Sequence, residues 1–228
     1  VELPVGTAVD LSAYVTEREG YDFTGWYLDA ALTQPITSLT LEADTTVYAG
    51  WRIRNPFVDV AEKDYFYDAV LWGVENGVVK GMDETHFEPE TVCTRAQALT
   101  FLWRANGMPQ PKTTTNPFVD VDASAYYYDA VLWGVENGIV KGMDETHFEP
   151  DTACSRAHAL TFLWRAKGMP QASGTTFADV PANAYYAQAV AWGVENGIVK
   201  GMDETHFEPD TLCQRAHAVT FLWRAYAN

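Results

Sequence analysis

Phe66, Ala69, Val70, Gly73 and Val74 recur at i, i+3, i+4, i+7 and i+8, an apolar stripe at helical period. The stripe ends in "ENG", where Gly77 is placed to take the positive φ of a helix C-terminus. A second helix is predicted from near Thr94; it carries Leu99, Leu102 and Trp103 on its apolar face and stops at Gly107, before Pro109. The same two patterns return from Phe118 and from Phe177, so the chain holds three copies of one helix-loop-helix unit beginning at Phe57. "MPQPKTTTNP" and "MPQASGTT" join the copies and read as short linkers. Two helices of about twelve residues each cannot close a core alone, so the copies are expected to pack on one another as a pseudo-threefold body.

The first fifty-odd residues follow another pattern. "YDFTGWY" and "TTVYAGW" combine aromatic and β-branched residues bounded by Gly and Asp, which predicts strands, and "DAALTQPI" interrupts them with turn or short-helix chemistry. The expected fold class is therefore mainly α, preceded by a small β-rich module. The divisions are 1–52 for the module and 56–108, 117–169 and 176–228 for the three repeats.

Composition narrows the function. With 47% hydrophobic residues the 228-residue chain can build packed cores, and its formal charge of −16 argues against nucleic acid or anionic lipid as a broad partner. Any anionic ligand must be held by a few local cations. No run of eighteen or more apolar residues is present, and Val1 does not open a charged-then-apolar leader, so neither a membrane span nor a secretion signal is expected within these residues. Cys93, Cys154 and Cys213 stand one per repeat without CxxC spacing, which suits small buried residues better than a disulfide framework or a metal site.

"GMDETHFEP" is written identically from Gly81, Gly142 and Gly201. Its Asp, His and Glu residues crowd together without HxxxH or EF-hand spacing, so it is read as a connecting loop, and no metal or cofactor is expected. Lys80, Lys141 and Lys200 just before the loop can add positive charge to a groove. The starts of the second helices, "CTRAQA", "CSRAHA" and "CQRAHA", carry more information. Thr94 and Gln97 form a capping box in the first, while Arg95, Arg156 and Arg215 recur where a cation meets the positive end of the helix dipole. An anion, taken by the guanidinium together with free helix-start N–H groups, would explain that placement. Pairing with Asp59, Asp120 or Asp179 as a tie between units is the alternative. Tyr65, Tyr126 and Tyr185 at the first helices and Trp103, Trp164 and Trp223 on the second offer stacking faces for a sugar, or simply core. His158 and His217 are candidates for pH sensitivity between about 5 and 7. No catalytic constellation is evident, so the chain is not expected to be an enzyme.

The succession of "F-x-D-V", a helix ending "ENGIV", a "G-x-x-x-x-x-F-x-P" loop and a "T-R-A-x" helix start resembles the S-layer homology domain, in its usual set of three. The resemblance implies non-covalent anchoring at the bacterial cell wall or S-layer, by binding secondary cell-wall polysaccharide linked to peptidoglycan, often bearing pyruvate ketals, in inter-repeat grooves. It also implies attachment to a larger surface protein. By position, the family's Arg falls on Arg95, Arg156 and Arg215, its early Asp on Asp59, Asp120 and Asp179, its loop Gly on Gly81, Gly142 and Gly201, and its frequent first-helix Trp on Tyr65, Tyr126 and Tyr185. The family's Glu after "T-R-A" is Gln97, His158 or His217 here, and its "D-G-T-F" is "E-T-H-F". "REGYDFTGWYLDAALTQPI" with "LEADTTVYAGW" resembles the Listeria–Bacteroides repeat, the internalin B-repeat type, which implies a β-grasp-like spacer or interaction module. The competing class is a structural assembly protein whose grooves take a protein partner or a second copy of the chain.

Overall fold

The structure, a computed structural model, describes residues 2–174 and 177–227. Val1, Thr176 and Asn228, which bound the expected first module and third repeat, lie outside the described residues. The chain divides into two compact units, Val1–Asn55 and Pro56–Asn228.

The first unit is built on β1 (Ala8–Asp10), β2 (Tyr21–Tyr27), β3 (Pro35–Ile36), β4 (Ser38–Thr40) and β5 (Tyr48–Ile53). Strands β3, β2 and β5 form one antiparallel sheet in that order, and β1 pairs with β4 in a second. The predicted strand "YDFTGWY" coincides with β2, and Phe23 on it meets Trp26 and Trp51 edge-on at 5.4 and 5.6 Å. "DAALTQPI" is a turn, closed by Asp29 accepting the Thr33 and Gln34 N–H groups, followed by the short strand β3. Where a β-grasp-like module is expected, the described residues hold two small sheets and one 3-10 turn, Leu11–Ala13, without an α-helix. The chain as a whole is thus mixed rather than mainly α, because the aromatic and β-branched positions of this unit fold as sheet.

The second unit holds α1 (Tyr67–Glu75), α2 (Arg95–Ala105), α3 (Tyr128–Glu136), α4 (Arg156–Ala166), α5 (Ala187–Glu195) and α6 (Arg215–Tyr226). Gly77, Gly138 and Gly197 follow the first helix of each repeat at φ of 68, 66 and 66°, the left-handed turn that only glycine adopts without a Cβ penalty. The Thr94–Gln97 capping box opens α2 as expected, and the Ser155 hydroxyl accepts from the His158 N–H at α4.

The two helices of one repeat do not form the tightest pair. First helices lean on the second helix of the preceding repeat, α3 on α2 and α5 on α4, and α1 of the first repeat leans on α6 of the third. The second helices α2, α4 and α6 meet one another at the centre. Around that centre runs a closed ring of backbone bonds: Cys154 N–H to Cys93 O at 2.8 Å, Cys213 N–H to Cys154 O at 2.7 Å, and Cys93 N–H to Cys213 O at 2.9 Å. All three cysteines are fully buried, which answers the reading of them as small core residues, and burial pushes the Cys93 and Cys154 thiols up to about 12.

Candidate functional site

The loop between the two helices of each repeat is fixed from two sides. Within a repeat, the Asp59 carboxylate accepts the Phe87 and Glu88 N–H groups at 2.9 and 2.7 Å, and Asp120 and Asp179 do the same for Phe148–Glu149 and Phe207–Glu208. From the preceding repeat comes an arginine. Arg95 donates Nε to Phe148 O at 3.0 Å and Nη2 to Lys141 O at 3.1 Å. Arg156 reaches Phe207 O and Lys200 O at 3.2 and 3.1 Å. Arg215 closes the ring on the first repeat, with Phe87 O at 2.8 Å and Lys80 O at 2.7 Å.

The aspartates and arginines therefore do not pair with each other; they grip the same loop through its N–H groups and its carbonyls. The arginine residues are only 2–3% exposed, and their guanidiniums lie over ring faces, Arg215 at 4.5 Å from the centre of Phe87 and 5.6 Å from that of Phe101. Burial pulls the arginine pKa values down, and the charges of Glu88 and Asp59 act against that at Arg215. The tie between repeats is real, but its acceptors are backbone carbonyls.

One expectation fails here. The helix-start N–H groups proposed to help hold an anion are occupied: Arg95 and Ala96 donate to Thr152 O and Pro150 O, Arg156 and Ala157 to Thr211 O and Pro209 O, and Arg215 and Ala216 to Thr91 O and Pro89 O. The first two N–H groups of α2, α4 and α6 are thus satisfied by the neighbouring repeat. What remains for a ligand is the guanidinium Nη1, which makes no hydrogen bond among the described residues.

Arg156 lines a groove. The groove has a volume of about 180 Å³ and is also lined by Tyr65, Lys200, Gly201, Met202, His217, Thr220, Phe221 and Arg224. It draws on all three repeats: the arginine of the second, the loop and α6 of the third, and the tyrosine of the first. His217, Thr220, Phe221 and Arg224 sit at i, i+3, i+4 and i+7 on one face of α6, a stripe that helical periodicity would have exposed but that sequence reasoning passed over. The corresponding sets are Arg95 with the Lys141–Gly142 loop and Tyr185, and Arg215 with the Lys80–Gly81 loop and Tyr126; the phenols act on the respective arginine charges. Arg, Gly and Tyr candidates are thus brought together, while Asp59, Asp120 and Asp179 stand behind, holding the loop.

Tyr65, Tyr126 and Tyr185 are 54–59% exposed and precede the first helices rather than opening them. Tyr65 stacks with His217 at 6.3 Å and Tyr185 with His158 at 5.9 Å. Burial, and then the Arg95 and Arg156 charges, lower the pKa values of His158 and His217 from the ordinary value of an imidazole. Trp103 and Trp164 are half-buried against the core, with Nε1 donating to Pro109 O and Pro170 O, so they are not free stacking faces.

The glycines are required by crowding, not by φ. A Cβ on Gly201 would stand 2.3 Å from Asp203 O and 2.6 Å from the Phe177 ring, and Gly81 and Gly142 meet the same obstruction. The rest of "GMDETHFEP" is a tight turn in which Asp83 accepts the Thr85 and His86 N–H groups; these bonds hold its carboxyl at about 2. A larger depression of about 560 Å³ in the first unit is lined by Arg18 and Arg54, but Arg18 lies 3.7 Å over the Tyr21 ring and Arg54 is paired with Asp22 at 3.0 Å.

The S-layer homology domain matches residues 56–99, 117–160 and 176–219, together more than half of the chain. The chain belongs to the S-layer homology family. The Listeria-Bacteroides repeat domain matches residues 2–50. The chain is 31% identical over 163 residues to a surface-layer 125 kDa protein of Lysinibacillus sphaericus, covering 69% of this chain and 14% of that one. It is 29% identical over 175 residues to S-layer protein sap of Bacillus anthracis, covering 73% and 20%. An amylopullulanase of Thermoanaerobacterium thermosulfurigenes matches at 25% over 183 residues, covering 77% and 10%. The chain thus spans about a tenth to a fifth of the length of these curated relatives. S-layer homology repeats with such relatives place the chain at the cell wall or S-layer, outside the cell, in a cell-surface anchoring role. No helix among the described residues is long and apolar enough to cross a membrane.

Proposed function

We propose that the three repeats, at 56–108, 117–169 and 176–228, form a pseudo-threefold, non-catalytic anchor whose grooves bind an anionic secondary cell-wall polysaccharide, with a pyruvate-ketal carboxylate at each Arg. We further propose that the 1–52 module is a spacer and that the anchor serves a larger surface protein, as the partial coverage of the relatives suggests. One observation carries the ligand's charge: in a chain with 31 acidic and 15 basic residues, the groove lining holds Arg156, Lys200 and Arg224 and no carboxylate. Two carbonyls already fix the Arg156 guanidinium, so little rotamer freedom is lost when Nη1 meets a carboxylate. Tyr65 offers an exposed ring for the sugar face. At physiological salt the Debye length is about 8 Å, so the more distant negative charge of the chain is screened from a ligand in the groove, while Glu208 and Asp179 stay near enough to act on Arg156.

Calorimetric titration with purified polysaccharide, native and with its ketals removed, tests the reading. The native polymer is expected to bind, the ketal-free one to bind at least about tenfold more weakly, and a Tyr65→Ala, Tyr126→Ala, Tyr185→Ala chain to lose affinity while its helices persist. Equal binding of both polymers would refute the carboxylate role. Binding of neither would favour a protein partner.

A further inference from the structure

Each groove has an oxidisable lip, an inference that rests on the anchoring function proposed above. Met202 lines the groove beside Tyr65 and Arg156 and is 49% exposed. Its N–H is bonded to His206 O at 2.9 Å, so the backbone is fixed while about half of the residue stays open to solvent. Met82 and Met143 stand at the same place, two residues past Lys80 and Lys141, whose carbonyls Arg215 and Arg95 hold. They are 49% and 48% exposed and make the same bond, to His86 O and His147 O. A soluble chain gains nothing in its core from a large apolar side chain held half in water at three equivalent positions. Next to a tyrosine and a cation, the flexible and polarisable thioether suits the apolar face of a sugar whose carboxylate sits on the guanidinium.

We infer that Met82, Met143 and Met202 are groove-lip contacts of the anionic glycan, and that their oxidation to sulfoxides by peroxide loosens the anchor. A sulfur lone pair attacks one peroxide oxygen, the O–O bond breaks, and the departing hydroxide takes the proton carried by the oxygen now on sulfur and leaves as water; sulfur loses two electrons and the peroxide gains them. The new S=O bond replaces an apolar contact with a strong dipole whose oxygen is negative, beside the bound carboxylate. Met108 and Met169, the remaining two methionines, are equally exposed at 52% but lie in the linkers, each with its N–H on a tryptophan carbonyl, and supply an internal control.

The test compares binding of native polysaccharide by the full chain before and after hydrogen peroxide treatment, with mass spectrometry to map sulfoxides and far-ultraviolet dichroism to show that the helices persist. Oxidation is expected to weaken binding by about tenfold, the upper range of a lost thioether–ring contact, and methionine sulfoxide reductases to restore it. In an M82L/M143L/M202L chain, peroxide should leave that variant's own affinity unchanged; in an M108L/M169L chain it should weaken binding as in the parent. Undiminished binding by the oxidised parent, or an equal fall in the M82L/M143L/M202L chain, overturns the inference. Failure of the unoxidised parent to bind any polysaccharide is a different result, which would remove the anchoring proposal together with the lip built on it.

Discussion

Replacing Arg215 with alanine should cost stability as well as binding, and the structure sets the size. The substitution removes hydrogen bonds of 2.8 and 2.7 Å to Phe87 O and Lys80 O and a cation over the Phe87 ring at 4.5 Å. Hydrogen bonds from charged donors contribute about 1.5–3 kcal/mol each, and part of that is offset because a buried guanidinium no longer has to be desolvated. A net loss of about 3–5 kcal/mol follows, a large share of the about 5–15 kcal/mol that holds a domain folded. With a urea slope of about 2 kcal/mol per molar, the midpoint should fall by about 2 M. All six helices described lie beyond residue 55, so helical ellipticity follows this unit without interference from the sheet module. Arg215→Lys should recover at most about half of the loss, since one ammonium cannot reproduce the two-pronged geometry. A midpoint for Arg215→Ala within about 0.5 M of the parent would refute the claim that these bonds hold the seam between the first and third repeats. Loss of binding in such a variant is therefore informative only where the helices are shown to persist.

Two further outcomes follow from the same geometry. Gly201→Ala, which forces a methyl against Asp203 O and the Phe177 ring, should lower stability by about 1–3 kcal/mol and displace the loop that carries Lys200; a melting temperature equal to the parent's would contradict it. His158 and His217 have folded pKa values below the usual 6.5, so the unfolded chain binds more protons as pH drops: the stability they contribute is present above about pH 6.5 and is lost as pH falls toward their folded values. An H158Q/H217Q chain, carrying the residue that repeat one has as Gln97, should show a smaller loss between pH 6.5 and 5 in parallel thermal melts, and identical curves would exclude the two histidines as its source.

Much of this arrangement was legible because the repeats carry their signals locally. Gly77, Gly138 and Gly197 mark helix ends through their own φ, and Thr94 with Gln97 writes its capping box within four residues. The sheet module's β2 was legible for the same reason, while β3 was not, since two residues have no period and Pro35–Ile36 owes its strand to the partner Trp26–Tyr27. Tyr65 was singled out by its family position, yet nothing in its surroundings in the chain says that it would face His217, which lies in the third repeat.

The arginine shows where local reading stops. A cation in the first turn of α2, α4 and α6 is a misfit that sequence alone reveals, and a ligand anion is a sound explanation for it while the helix is considered in isolation. In the folded chain the first two N–H groups are taken by the carbonyls of Thr152 and Pro150, or their counterparts, so the positive end of each helix is already answered by backbone dipoles from the next repeat. The guanidinium is answered in the same way, by Phe148 O and Lys141 O. These acceptors could not be found from the sequence, because carbonyls are present at every residue and only the order in which the repeats dock selects which ones arrive. The docking order in turn decides that one repeat contributes the cation, the next the loop and the third the tyrosine. A ligand held in such a groove touches all three repeats at once, and its binding must stabilise their association.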